Sequence, residues 1–144
     1  MKFEVRTKVD QPLNKVKEGF DESLFRELSP PFPTVKVLKF DGSKPGDMVV
    51  IELNFLLTKQ RWVSQITDEY NTESHYYFKD EGLELPFMLN SWQHTHHIIS
   101  REEGSEIVDE VVFSSGNRFM DILIYPALLL QFLYRKPIYR RIFG

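Results

Sequence analysis

The sequence predicts an α+β fold, a curved antiparallel sheet of about seven strands with two short helices and a long C-terminal helix over its concave side. Three observations predict it. Phe3, Val5, Thr7 and Val9 alternate with polar residues from the N-terminus, as a half-buried strand does. Extended segments separated by turn residues fill the middle of the chain. The last segment, roughly Phe119 to Phe143, spaces its apolar side chains as a helix does.

After the first strand, Asp10-Gln11-Pro12 supplies an N-cap residue and an early proline suited to starting a helix. Two short helical pieces follow, around residues 12–20 and 21–28, with Val16, Phe20, Leu24, Phe25 and Leu28 spaced to bury one face under the sheet. The loop Ser29-Pro30-Pro31-Phe32-Pro33 punctuates the chain. Strands are then expected at Thr34 to Phe40, Asp47 to Leu57, Arg61 to Tyr70, Glu73 to Asp80, Met88 to Ser100 and Glu106 to Ser114. Asp41-Gly42, Lys44-Pro45-Gly46, Asp80-Glu81-Gly82 and Glu103-Gly104-Ser105 mark the connections, so successive strands should pair antiparallel. In the final helix Pro126 and Pro137 should bend or interrupt the backbone. Arg135, Lys136, Arg140 and Arg141 stand where cations complement a helix C-terminus.

A chain of 144 residues is the size of one domain, and residues 1–144 are read as one. With no cysteine, disulfides and thiolate metal sites are excluded, which fits a cytoplasmic protein. A net charge of −3 gives no electrostatic case for nucleic acid. The N-terminus lacks the apolar core of a secretory signal, which predicts no export. The most apolar run, Ile122 to Tyr134, is too short to cross a bilayer, so no stable membrane insertion is expected. Single scattered glycines make no phosphate-cradling loop or dinucleotide fingerprint, and no nucleophile elbow is present. No cofactor is expected.

The most informative stretch is Trp92-Gln93-His94-Thr95-His96-His97. On a strand, Trp92, His94 and His96 share one face and His97 lies on the other. The same alternation puts Phe78 with Asp80, and Asp109 with Phe113. If all three faces are concave, two carboxylates meet two imidazoles. A histidine beside a carboxylate can act as a general base, its pKa rising unless burial opposes it. The same pairing also serves simply to satisfy buried polar groups, and that structural role is the commoner one. Two histidines at i and i+2 can also reach one ion, with Asp80 or Asp109 as a third ligand. No third histidine lies on that face, and no metal is expected.

The chain resembles the START-like, Bet v 1-like (SRPBCC) superfamily, and within it the small bacterial polyketide cyclase/dehydrase-like group. The resemblance rests on Phe78-Lys79-Asp80, Leu85-Pro86-Phe87, Trp92-Gln93-His94-Thr95-His96, Gly104-Ser105, Asp109-Glu110-Val111-Val112-Phe113 and the aromatic-Arg segment Phe132-Leu133-Tyr134-Arg135. It implies a helix-grip fold with an internal cavity for small, mostly apolar molecules such as lipids, sterols or polyketides, and no settled reaction. The cavity wall expected from the aromatic residues is Phe55, Trp62, Tyr77, Phe78, Phe87, Trp92 and Phe113, with His94, His96, Asp80 and Asp109 as the groups that orient a guest. Two rival readings are a cyclase or dehydratase using His94 or His96 as base, and a closed-core interaction domain whose cluster is dry and inaccessible. Exposed apolar residues on a bent terminal helix would favour a homodimer.

Overall fold

A computed structural model describes residues 1–86 and 88–144. The elements in order are β1 (Lys2–Val9), α1 (Leu13–Glu18), α2 (Glu22–Glu27), β2 (Thr34–Phe40), β3 (Met48–Asn54), β4 (Lys59–Asn71), β5 (His75–Glu84), β6 (Ser91–Ser100), β7 (Ser105–Ser114), α3 (Arg118–Leu133) and α4 (Arg135–Phe143). The seven strands form one sheet in the order β1-β7-β6-β5-β4-β3-β2, with every neighbouring pair antiparallel. Strands β2 to β7 are a meander, each pairing with the next, and β1 closes the far edge beside β7. The two short helices therefore carry the chain from one edge of the sheet to the other.

Alternation along β1 is strict, with Phe3, Val5, Thr7 and Val9 buried and the residues between them exposed. The turn between β6 and β7 requires glycine. Gly104 has φ +75°, and a Cβ there would stand 2.1 Å from the Val9 carbonyl oxygen. The β4–β5 pair shifts register between Ile66 and Asp68 and again between Val63 and Ser64. Such bulges increase local twist and bend the strands, which turns one face of the sheet into a concave wall.

Three expectations are corrected. Asp80-Glu81-Gly82 is strand and not a connection, because β4 is long enough to continue the pairing as far as Val63 opposite Glu84. Glycine serves there for a close approach, since a Cβ on Gly82 would meet the Leu85 side chain at 2.4 Å. The N-cap of α1 is Pro12 and not Asp10, with no side-chain cap. The terminal helix is interrupted at Tyr134, between α3 and α4, and not at either proline. Pro137 falls in the first turn of α4, where its missing N–H has no intrahelical partner to lose, and the chain restarts just ahead of it.

The core has two apolar clusters. One gathers Val16, Leu24, Tyr76, Phe78, Ile98, Tyr139 and Phe143 beneath α1, α2 and α4. The other gathers Phe3, Val5, Trp92, Val111, Phe113, Leu128 and Phe132 beneath α3. Two histidines of β6 lie between them, His96 stacked on Phe78 of the first cluster and His94 edge-on to Phe132 of the second. Among the described residues, no helix is long and apolar enough to cross a membrane.

Candidate functional site

Strand register brings the polar residues together. Asp80 on β5 stands opposite His94 on β6, and His96 on β6 opposite Asp109 on β7. The hydrogen bonds run along the diagonals instead, where longer side chains meet across antiparallel strands. His94 Nε2 lies 2.8 Å from Asp109 Oδ1, and His96 Nε2 lies 3.0 Å from Asp80 Oδ2. The direct pairs are longer, with His94 Nδ1 3.7 Å from Asp80 Oδ2 and His96 Nδ1 3.8 Å from Asp109 Oδ1. The two imidazoles have ring centres 3.6 Å apart. Three strands thus hold a compact quartet of two carboxylates and two imidazoles.

Arg135 completes the group from the α3–α4 junction. Its Nη1 lies 3.4 Å from Asp109 Oδ1, and its guanidinium covers the Phe132 ring at 4.3 Å. This corrects the expectation that Arg135 caps a helix end, because its side chain reaches inward to Asp109 from the first residue of α4. Tyr139, one turn further along α4, is fully buried and presents its hydroxyl to the electrostatic field of Asp109 and Arg135.

Burial sets the protonation states. It dominates at His94, and with the neighbouring His96 it outweighs both carboxylates and lowers the pKa to about 4, so the ring is neutral at pH 7. For Asp109 burial acts upward, but the His94 hydrogen bond and the Arg135 charge prevail and hold the carboxyl below its ordinary value. Asp80 is likewise held low against burial by the His96 hydrogen bond and both histidines. With Asp109 ionised, His94 carries its proton on Nε2 and keeps a lone pair on Nδ1. That state is fit for hydrogen bonding, for proton abstraction and for metal ligation.

Beside the quartet lies a cavity of about 600 Å³ between the concave sheet and α3, closed at one end by α2. Its wall includes Phe55, Trp62, Phe78, Asp80, Trp92, His94 and His96, as expected, and is predominantly apolar. Trp62 and Trp92 meet edge to face at 4.8 Å, and Trp62 Nε1 donates to Ser64 Oγ at 2.9 Å. Helix α3 supplies Ile124, Leu128, Gln131 and Phe132, and Arg135 reaches in beside them.

Three expected residues stand elsewhere. Tyr77 lies on the outer face of the sheet, one residue out of phase with Phe78, stacked on Tyr70. Phe113 faces inward but is sealed within the α3 cluster, with Phe3 against its ring, and does not reach the cavity. Asp109 sits one layer behind the wall, 1% exposed, and acts through His94. Phe87 lies outside the described residues. Arg135 was legible only as part of the aromatic-Arg segment, and nothing in the residue pattern pointed to Gln131.

No family model matches the sequence, and no curated protein matches it. Solved structures do match in fold. An aromatase/cyclase from a Streptomyces species is 12% identical with a TM-score of 0.66, over 95% of this chain and 89% of that one. A norcoclaurine synthase from Thalictrum flavum, solved with a transition-state analogue, is 12% identical with a TM-score of 0.64, over 92% and 89% of the two chains. The protein Ara h 8.0201 is 14% identical with a TM-score of 0.58, over 96% of each chain. At such identities the likeness is one of fold: the chain has the helix-grip architecture of the START-like, Bet v 1-like superfamily that its sequence resembles.

Proposed function

We propose that this protein binds a small, mostly apolar molecule between its sheet and α3, with the guest's polar end against Asp80, His94 and His96. The observation that carries the reading is the cavity itself. Its volume falls within the range of about 300–1,000 Å³ usual for small-molecule sites, and Asp80, His94 and His96 share one wall of it. With His94 neutral and Asp80 ionised, that wall offers more acceptors than donors apart from Arg135. A guest carrying a hydroxyl or an amine is therefore favoured over an anion. The fold neighbours support the class of ligand, since a Thalictrum flavum norcoclaurine synthase has been solved with dopamine and hydroxybenzaldehyde.

The test is an apolar aromatic amine, 1-aminoanthracene, titrated against the protein and against Ile124→Trp, which places an indole in the cavity. Saturable one-to-one binding that is lost in Ile124→Trp supports the reading. Equal binding by both proteins would place the probe elsewhere and overturn it.

A second reading has its own observation. The Asp109–His94 pair orients one imidazole nitrogen and leaves the other unprotonated at the cavity wall, the placement of a general base. An acid–base enzyme of cyclase or dehydratase type would use it. His94→Ala and His96→Ala separate the two, because an enzyme keeps binding and loses turnover while a binder has only affinity to lose. A closed core is disfavoured by the cavity that Asp80, His94 and His96 line.

A further inference from the structure

We infer that Asp80, His94 and His96 form a three-ligand site for a divalent transition-metal ion, with its remaining coordination positions open to the apolar cavity. The geometry is that of ligands around one ion. One ligand atom from each of the three residues lies within 4.8 Å of the others. Asp80 Oδ2 is 3.0 Å from His96 Nε2 and 3.7 Å from His94 Nδ1. Atoms bound tetrahedrally at about 2.0–2.1 Å from one zinc stand about 3.3 Å apart, so small side-chain rotations bring these three into a coordination sphere. All three also line the cavity, which leaves room for a water or a ligand oxygen as a further partner.

The atoms behind the ligands give an independent reason. Among the described residues, His96 Nδ1 is buried and has no hydrogen-bond partner. Buried polar atoms left unpaired are rare and call for an explanation. When Nε2 of His96 binds an ion, the imidazole proton moves to Nδ1, which faces Asp109 Oδ1 at 3.8 Å. His94 already donates its Nε2–H to the same carboxylate. Asp109 Oδ1 then faces the N–H groups of both ligating histidines, and the Arg135 guanidinium lies 3.4 Å from the same oxygen. A carboxylate behind each metal-bound histidine is the usual outer shell of such sites, because it sets the tautomer and raises ligand basicity.

Charge and donor type narrow the ion. Two carboxylates against one guanidinium favour a cation, and two imidazole nitrogens with one oxygen suit zinc, iron(II) or cobalt(II) over magnesium or calcium. The histidine spacing alone gave no expectation of a metal. Asp109 behind both rings and the unpaired nitrogen of His96 become visible only once the strands are in register.

The inference does not depend on the identity of the apolar guest, and it is tested without one. The 144-residue protein is treated with a chelator, and cobalt(II) is added while the visible absorption is followed, with zinc then used to displace it. One saturable equivalent is expected, displaced by zinc. The signal should disappear in Asp80→Ala and weaken roughly 10- to 100-fold in affinity in Asp109→Asn, which keeps all three ligands. His97→Ala, on the opposite face of the sheet, should change affinity less than about twofold. Asp80→Asn replaces Asp80→Ala if the smaller residue prevents folding. No stoichiometric signal in the unaltered protein would overturn the site. So would a signal that survives both Asp80 variants, or one that is lost in His97→Ala, which would assign the ion to the outer histidines.

Discussion

Strands β5 and β6 carry histidines on both faces of the sheet, and the two pairs differ in everything but residue type. On the inner face, His94 and His96 are held by Asp109 and Asp80, packed between Phe78 and Phe132, and covered by helices. On the outer face, His97 Nδ1 and His75 Nε2 lie 2.9 Å apart among Tyr70 and Tyr77. The carboxylate within reach of His97 is Glu110, at 3.9 Å and partly exposed. One residue of register separates a buried, charge-paired cluster at the cavity wall from a partly exposed aromatic surface. Location, and not the imidazole, decides which pair has chemistry available to it: water screens charges on the outside, while burial makes each partner on the inside indispensable.

The largest contrast between the faces should come from the carboxylates. Asp109→Ala leaves His94 and the Arg135 cation buried without their partner, and a loss of about 3–5 kcal/mol in urea unfolding is expected. Glu110→Gln, its neighbour on the outer face, should cost less than about 1 kcal/mol, since exposed ion pairs contribute little. Equal losses would mean that the inner cluster is not the structural keystone its burial implies.

The pH dependence comes next. The folded pKa of His94, about 4, lies below its ordinary 6.5. Between these values the unfolded chain binds a proton that the folded chain refuses, so stability is complete above pH 6.5 and falls as the pH drops toward 4. That difference corresponds to about 3 kcal/mol. Asp109 adds a separate loss below its ordinary range, since its folded pKa is also depressed. Urea unfolding at pH 7 and pH 5 should show the histidine component, and His94→Gln should flatten it. The smallest effect belongs to His97→Ala, which should change stability by less than about 1 kcal/mol and leave the slope between pH 7 and 5 mostly in place.

Much of the inner face was legible because strand alternation is local. Phe78 with Asp80, and Trp92 with His94 and His96, follow from two-residue periodicity, and all of them reach the cavity. Tyr77 was misplaced by one residue, the error that alternation punishes most, because it exchanges faces. What local pattern cannot supply is depth and partner choice. Asp109 and Phe113 face the same way as the wall residues, but Phe113 is covered by Phe3 and the α3 cluster and Asp109 lies against Arg135 and Tyr139 of α4, a fact of packing between elements distant in sequence. Arg135 was hidden for a similar reason. Its inward reach is a contact with Asp109 on a strand distant in sequence, and a basic residue near the end of a helical run reads by default as a cap. The aspartate-glycine signal at residues 80–82 misled because a strand with bulges tolerates the residues that otherwise end one.

The protein supplies its own reporter for the cavity. It contains two tryptophans, Trp62 and Trp92, and both are in the wall. Tryptophan emission followed while 1-aminoanthracene is added reads occupancy at the place proposed, since a probe in the cavity lies against both indoles. The account predicts saturable quenching at one probe per chain, abolished in Ile124→Trp after correction for the added indole. Emission that stays unchanged as the probe is added, or that declines without saturating, would contradict a binding cavity between the sheet and α3.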